Sequence, residues 1–192
     1  MKNLLIITFI FFSSFIFAQT CNITLDDILT IDSQESFERV LIENNFESNR
    51  EGLKGILKKS LEDEGHNLDD LTEEELNELL EKMNKEGLGL VKYDFGRQKI
   101  NDDYVSEITA AGVFFDDKFI YIFQDNLPEY SDSFYNRIFT EVKAKCTFDE
   151  VDQIIDGKSS AVYNCPSAHF NSKLGFFLVD GIGMIYYSPE GL

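Results

Sequence analysis

Between Lys118 and Gln124 the chain runs Phe119-Ile120-Tyr121-Ile122-Phe123. A strand sends successive side chains to opposite faces, so Phe119, Tyr121 and Phe123 share one side and Ile120 and Ile122 the other. A strand that is apolar on both faces belongs in the interior of a sheet. Its neighbours follow from turn chemistry. Ile108 to Phe115 precedes it across Asp116-Asp117, which reads as a hairpin. Gly175 to Val179 and Ile182 to Tyr187 flank Asp180-Gly181, a stronger hairpin signal. Leu90 to Phe95 reads as a further strand, and Ala161 to Cys165 as another, stopped by Pro166.

Helical periodicity dominates the other half. Thr24 precedes Leu25, Ile28 and Leu29, and Ser33 caps a segment carrying Phe37, Val40 and Leu41. Leu53, Ile56, Leu57, Ser60 and Leu61 follow at helical spacing. Thr72 and Glu75 form a capping box ahead of Leu76, Leu79, Leu80 and Met83, and Gly87 stops that helix. The last two segments read as an αα-hairpin joined through His66 to Leu71. One later helix, capped by Ser131 or Asp132, buries Phe134, Ile138, Phe139 and Val142. The expected fold is α+β: an antiparallel sheet of five or six strands with helices on one face. Residues 19–90 should be mainly helical and 91–192 mainly strand with one helix, together forming a single domain. Phe119, Tyr121, Ile122, Phe123, Ile138, Val142 and Phe177 are the expected core. The order helix, strand, hairpin occurs from Thr72 to Gln124 and again from Ser131 to Tyr187, with little identity between the two.

The first eighteen residues set the compartment. Lys2 is followed by an apolar run from Leu4 to Ala18, ending in Ile16-Phe17-Ala18 with a small residue at the cleavage position. Such a run is shorter than the ~20 helical residues a bilayer core requires, and no basic stop-transfer cluster follows. Residues 1–18 therefore read as a signal peptide cut between Ala18 and Gln19. The mature chain should be exported, periplasmic or extracellular, with no transmembrane segment. Cys21 leaves a lipid anchor as the lesser alternative, because Thr20 poorly fits the small residue that lipoprotein processing needs.

Charge and cysteine use agree with export. Losing Lys2 takes the net charge from −18 to −19. Such a field repels phosphate backbones, so nucleic-acid binding is not expected, and a protein partner, if there is one, should be basic. In an oxidising compartment Cys146 and Cys165 are the natural disulfide pair, leaving Cys21 over. Cys146 lies four residues after Val142 on the inward stripe of its helix. Cys165 sits in a strand expected to pack beneath that helix.

No catalytic, cofactor or metal motif holds up. An EF-hand loop started at Asp63 would put Leu68 where glycine belongs. Glu73, Glu74 and Glu75 are explained by the positive end of a helix dipole. A Cys165–His169 nucleophile competes with the expected disulfide, and the cysteines and histidines lack zinc-ligand spacing. Gly181-Ile182-Gly183 sits inside a hairpin rather than before a helix, so it is not a phosphate loop. Asn22-Ile23-Thr24 fits a glycosylation acceptor, but Thr24 serves better as a helix cap.

The leader ending Phe17-Ala18-Gln19 resembles those of exported proteins of Bacteroidetes-type bacteria. Lys145-Cys146-Thr147-Phe148, Tyr163-Asn164-Cys165-Pro166, Gly175-Phe176-Phe177 and Asp180-Gly181-Ile182-Gly183 are similar to small uncharacterised exported proteins of that group. The resemblance covers this C-terminal part alone, implies no activity and carries no functional residue over. The residues weigh against an enzyme without excluding one. The expected function is a non-enzymatic exported module that binds another protein. The alternative is a small secreted or periplasmic hydrolase built from scattered carboxylates. Intact-mass measurement of exported protein should give a chain beginning at Gln19. A diacylglyceryl increment on Cys21 would replace that outcome with a lipoprotein anchor.

Overall fold

The computed structural model describes residues 21–63, 72–99, 105–115, 118–153, 158–166 and 171–187. The signal-peptide cleavage site at Ala18 and Gln19, the Asp116-Asp117 turn, His66 and His169 lie outside them. The described residues form five helices, α1 (Leu25–Leu29), α2 (Gln34–Glu43), α3 (Arg50–Asp63), α4 (Glu73–Lys85) and α5 (Phe134–Lys145). The first half of the sheet consists of β1 (Glu47–Ser48), β2 (Leu88–Lys99), β3 (Val105–Phe115) and β4 (Lys118–Asp125). The second half consists of β5 (Thr147–Gln153), β6 (Ser159–Pro166), β7 (Asn171–Val179) and β8 (Ile182–Tyr187). All pair antiparallel in the order β1-β2-β3-β4-β8-β7-β6-β5.

Local chemistry starts and stops these elements. The hydroxyls of Thr24, Ser33 and Thr72 accept from backbone N–H groups three residues on, closing the first turns of α1, α2 and α4. Gly87, at φ 84°, ends the chain's exit from α4 in a conformation that favours glycine. Asp180 and Gly181 have φ of 51° and 83°, as a two-residue turn between right-twisted strands requires. The cap of α5 is Ser133 rather than Ser131 or Asp132. Its start is fixed from outside by Asp125, whose carboxylate accepts from the Tyr135 N–H at 2.9 Å.

The sheet has eight strands, not the expected five or six. β4 lies in its middle, as a strand apolar on both sides should, with Phe119, Tyr121 and Phe123 buried on one face. That face is covered by α1, α2 and α5, which deliver Ile28, Phe37, Phe134, Ile138 and Val142 into one continuous core. Ile122 and Phe177 do not join it. They point to the opposite face and are only half-buried. Helices lie on both faces rather than one, because α3 and α4 cross to the Ile122 side. There Leu57, Leu76 and Leu80 form a second, smaller cluster with Leu90 of β2.

The two halves of the sheet repeat an order. A Ser33-capped helix, then β1-β2-β3-β4, is followed by a Ser133-capped helix, then β5-β6-β7-β8. The repeat therefore pairs α2 with α5, not α4 with α5 as element order along the sequence suggested. Helices α3 and α4 are inserted between β1 and β2, with no counterpart among the described residues of the second half.

The N-terminal segment is tied down by one face of α5. The Arg137 guanidinium donates to the carbonyls of Cys21 at 2.6 Å and Ile23 at 3.0 Å. Glu141 accepts the Leu25 N–H at 3.2 Å, and Lys145 pairs with Asp26 at 2.9 Å. Cys21, Ile23 and Leu25 are fully buried as a result. Phe123→Ala should cost ~3–5 kcal/mol of stability through the cavity it leaves. Phe148→Ala, at a side chain 52 % exposed, should cost less than ~1 kcal/mol. Denaturant unfolding of both variants tests the assignment, and equal losses would contradict it.

Candidate functional site

Asp125 is 1 % exposed, but its oxygens are fully engaged. Oδ1 accepts from Ser106 Oγ at 2.5 Å and from the Leu127 N–H at 3.0 Å, and Oδ2 from Tyr135. It joins the ends of β3, β4 and α5. A cavity of about 310 Å³ beside β2 mixes Glu38, Glu81, Arg50 and Lys92 with Tyr93. Burial, then the neighbouring Glu38 carboxylate, pushes the Tyr93 phenol above its usual range, so it is no base at neutral pH. No group of three or more His, Cys, Asp or Glu side chains among the described residues could hold a metal ion.

The cysteines meet as a pair. Cys146 ends α5 and leads directly into β5, where Thr147 stands opposite Asn164 of β6. Cys146 and Cys165 are thereby brought face to face, with Cα atoms 4.4 Å apart and the sulfurs joined in a disulfide. The expected pairing is present, and β6 runs both beside β5 and against α5, where its Tyr163 lies 5.9 Å from Phe139. The third cysteine is not at a mobile terminus. Cys21 has no solvent exposure, and burial pushes its thiol up to about 11. A lipid on that sulfur would have to displace the N-terminal segment from the core.

The bridge opens the most unusual surface of the molecule. β5 is the last strand of the sheet, and all seven of its residues are exposed. Five large apolar side chains among the described residues are at least half exposed, and two of them, Phe148 and Val151, are on this strand. Three residues apart on a regular strand, they would point to opposite faces. A bulge between Phe148 and Glu150 changes this. Phe148 stands opposite Tyr163 and Val151 opposite Ala161, which share one face, so both apolar side chains point the same way. Leu178, two residues beyond Phe176 on β7, shares that face and is 59 % exposed.

Glu150 and Asp152 alternate with Val151 and point to the other face, opposite Val162 and Ser160. Asp149, the extra residue of the bulge, meets Lys173 of β7 at 3.0 Å, and Glu150 lies 3.9 Å from the same ammonium. The edge strand is thus apolar on one side and acidic on the other. Periodicity did not reveal it, because Thr147 to Gln153 has no regular alternation until the bulge is known. The signal present in the sequence was a Cys146-Thr147-Phe148 exit from a helix into a charged, β-branched stretch.

The corresponding aromatic of the first half is covered. Phe46, which follows α2 as Phe148 follows α5, is 4 % exposed and packs 5.2 Å from Phe95, and α3 begins immediately after β1. No helix among the described residues is long and apolar enough to cross a membrane. No protein-family profile, curated protein or solved structure matches the chain.

Peptide mapping without reductant should recover Cys146 and Cys165 in one linked fragment, with Cys21 alkylated only after unfolding. Because the folded pKa of Cys21 is raised, the unfolded chain loses this proton first as pH rises. The contribution is intact below pH ~9 and fades towards pH 11, by roughly 2–3 kcal/mol. Cys21→Ala should flatten that part of the stability profile; an unchanged profile would place the thiol in water.

Proposed function

We propose that this chain is a non-enzymatic exported module that binds another protein, and that the β5 edge makes the contact. The observation that supports this reading is the exposure of Phe148 and Val151, 52 % and 59 %, together on one face of a terminal strand. Edge strands in isolated proteins are usually short, covered or stripped of exposed apolar side chains. The corresponding aromatic of the first half, Phe46, is buried. The net charge of −18 favours a basic partner and disfavours nucleic acid. The hydrolase alternative gains nothing from Asp125, the one carboxylate among the described residues that is almost wholly buried, since it is consumed in holding α5.

The test compares wild type with the Phe148→Ala/Val151→Ala double variant, both immobilised and exposed to the exported fraction of the cells that make the protein. Wild type should retain a defined partner in near-stoichiometric amount, and the variant should retain at least about tenfold less at unchanged melting temperature. Equal retention by both proteins would remove β5 as the contact.

A further inference from the structure

Resting on that reading, we infer that the partner supplies an extended cationic segment which adds to the sheet as a ninth strand along β5. The outer side of β5 has no strand neighbour among the described residues, so its outward N–H and C=O groups form an unfilled ladder. Seven residues give roughly 23 Å of edge at about 3.4 Å per residue, enough to pair a segment of similar length. The template is already ordered. The Cys146–Cys165 bridge fixes its start, and Gln153 donates to Ser159 Oγ at 3.0 Å at its end. Little entropy remains to be lost on the protein side when a strand docks.

Side-chain chemistry selects what docks. An added strand continues the alternation of the sheet, so its side chains fall in rows beside those of β5. One row would lie against Phe148 and Val151, the other against Glu150 and Asp152. An extended segment alternating apolar residues with lysine or arginine fits both rows. A second copy of this chain does not, because pairing two β5 edges would set carboxylates against carboxylates. The acids thus protect the edge from self-association while attracting a strand of opposite charge. Lys173 offsets one charge of this acidic side, meeting Asp149 at 3.0 Å and Glu150 at 3.9 Å, so Glu150, 61 % exposed, and Asp152 keep their row net negative.

The probe is an eight-residue peptide of alternating lysine and valine, added to the full mature chain. Amide hydrogen exchange reports where it sits. Protection should rise along residues 147–153, and Glu150→Gln/Asp152→Asn should weaken binding about tenfold. A peptide N-methylated at alternate residues, which cannot form the ladder, should not bind, and neither should a glutamate–valine counterpart. Equal binding by the methylated peptide or by the charge variant, protection confined to another element, or a dimer sealed through β5 would overturn strand addition. If the Phe148→Ala/Val151→Ala variant loses the natural partner while no β5 protection appears with the peptide, the contact surface stands and strand addition fails. If β5 binds the peptide as described but the natural partner is held equally by that variant, strand addition stands and the assignment of the partner to this edge fails.

Discussion

Everything else in the molecule is arranged around the aromatic face of β4. Phe119, Tyr121 and Phe123 stand in line on the strand, and Tyr187 of β8 stacks 5.0 Å from Phe119 and 5.2 Å from Tyr121. Phe37 of α2 lies 5.4 Å from Tyr121, and Phe134 of α5 lies 5.5 Å from Phe123. One strand therefore receives a helix from each half of the chain and the innermost strand of the second half. Each ring removes a large apolar area from water, and their tilted and stacked contacts restrict how the helices can sit. The Tyr121 hydroxyl, buried with them, donates to the Ile28 carbonyl at 3.1 Å and so draws the N-terminal segment into the same core.

This arrangement explains why the two halves end so differently at their outer edges. Both begin with a serine-capped helix and continue as a four-strand meander. In the first half, α3 and α4 interrupt the meander after β1 and lie over β2, held together partly by Lys54, which reaches Glu51 at 2.8 Å and Glu73 at 2.6 Å. In the second half, only five residues of sequence separate β5 from β6. The chain consequently lays its own helices over β2 in the first half and leaves β5 ordered but exposed in the second. An exposed edge is ordinarily an aggregation hazard. Here the carboxylates of β5 and the bulge at Asp149 reduce that hazard without hiding Phe148 and Val151.

The disulfide has a structural consequence beyond the closing of a loop. By joining the end of α5 to β6, it sets where β5 enters the sheet, and hence the register in which Phe148 meets Tyr163. The two rings are 5.6 Å apart at a steep angle, so Phe148 rests on the sheet by its edge while half of it faces solvent. In the chain-entropy view, a bridge closing a loop of this size stabilises by ~3 kcal/mol. Its position at the start of an otherwise exposed strand also keeps that strand from fraying. Compartment, covalent chemistry and the candidate surface are in this way physically connected.

Much of the fold was legible from local pattern. Six of the eight strands, the capped helices, the Asp180-Gly181 turn and the Cys146–Cys165 pairing all follow from turn residues, caps and apolar periodicity, which act within a few residues of one another. What the sequence could not supply depends on contacts between distant segments. Ile122 and Phe177 read as core, yet their face of the sheet is only partly covered, because the reach of α3 and α4 was not encoded in either strand. Cys21 read as a terminal residue, yet Arg137, more than a hundred positions away, holds its carbonyl in the interior. Thr147 to Gln153 did not read as a strand at all. Its alternation is broken by one extra residue, and only pairing with β6 shows that the break is a bulge. The sequence by itself determined most of the helices and strands and where the covalent bridge falls. The tertiary structure alone decided which faces are covered, because burial is a property of what packs against a residue and not of the residue.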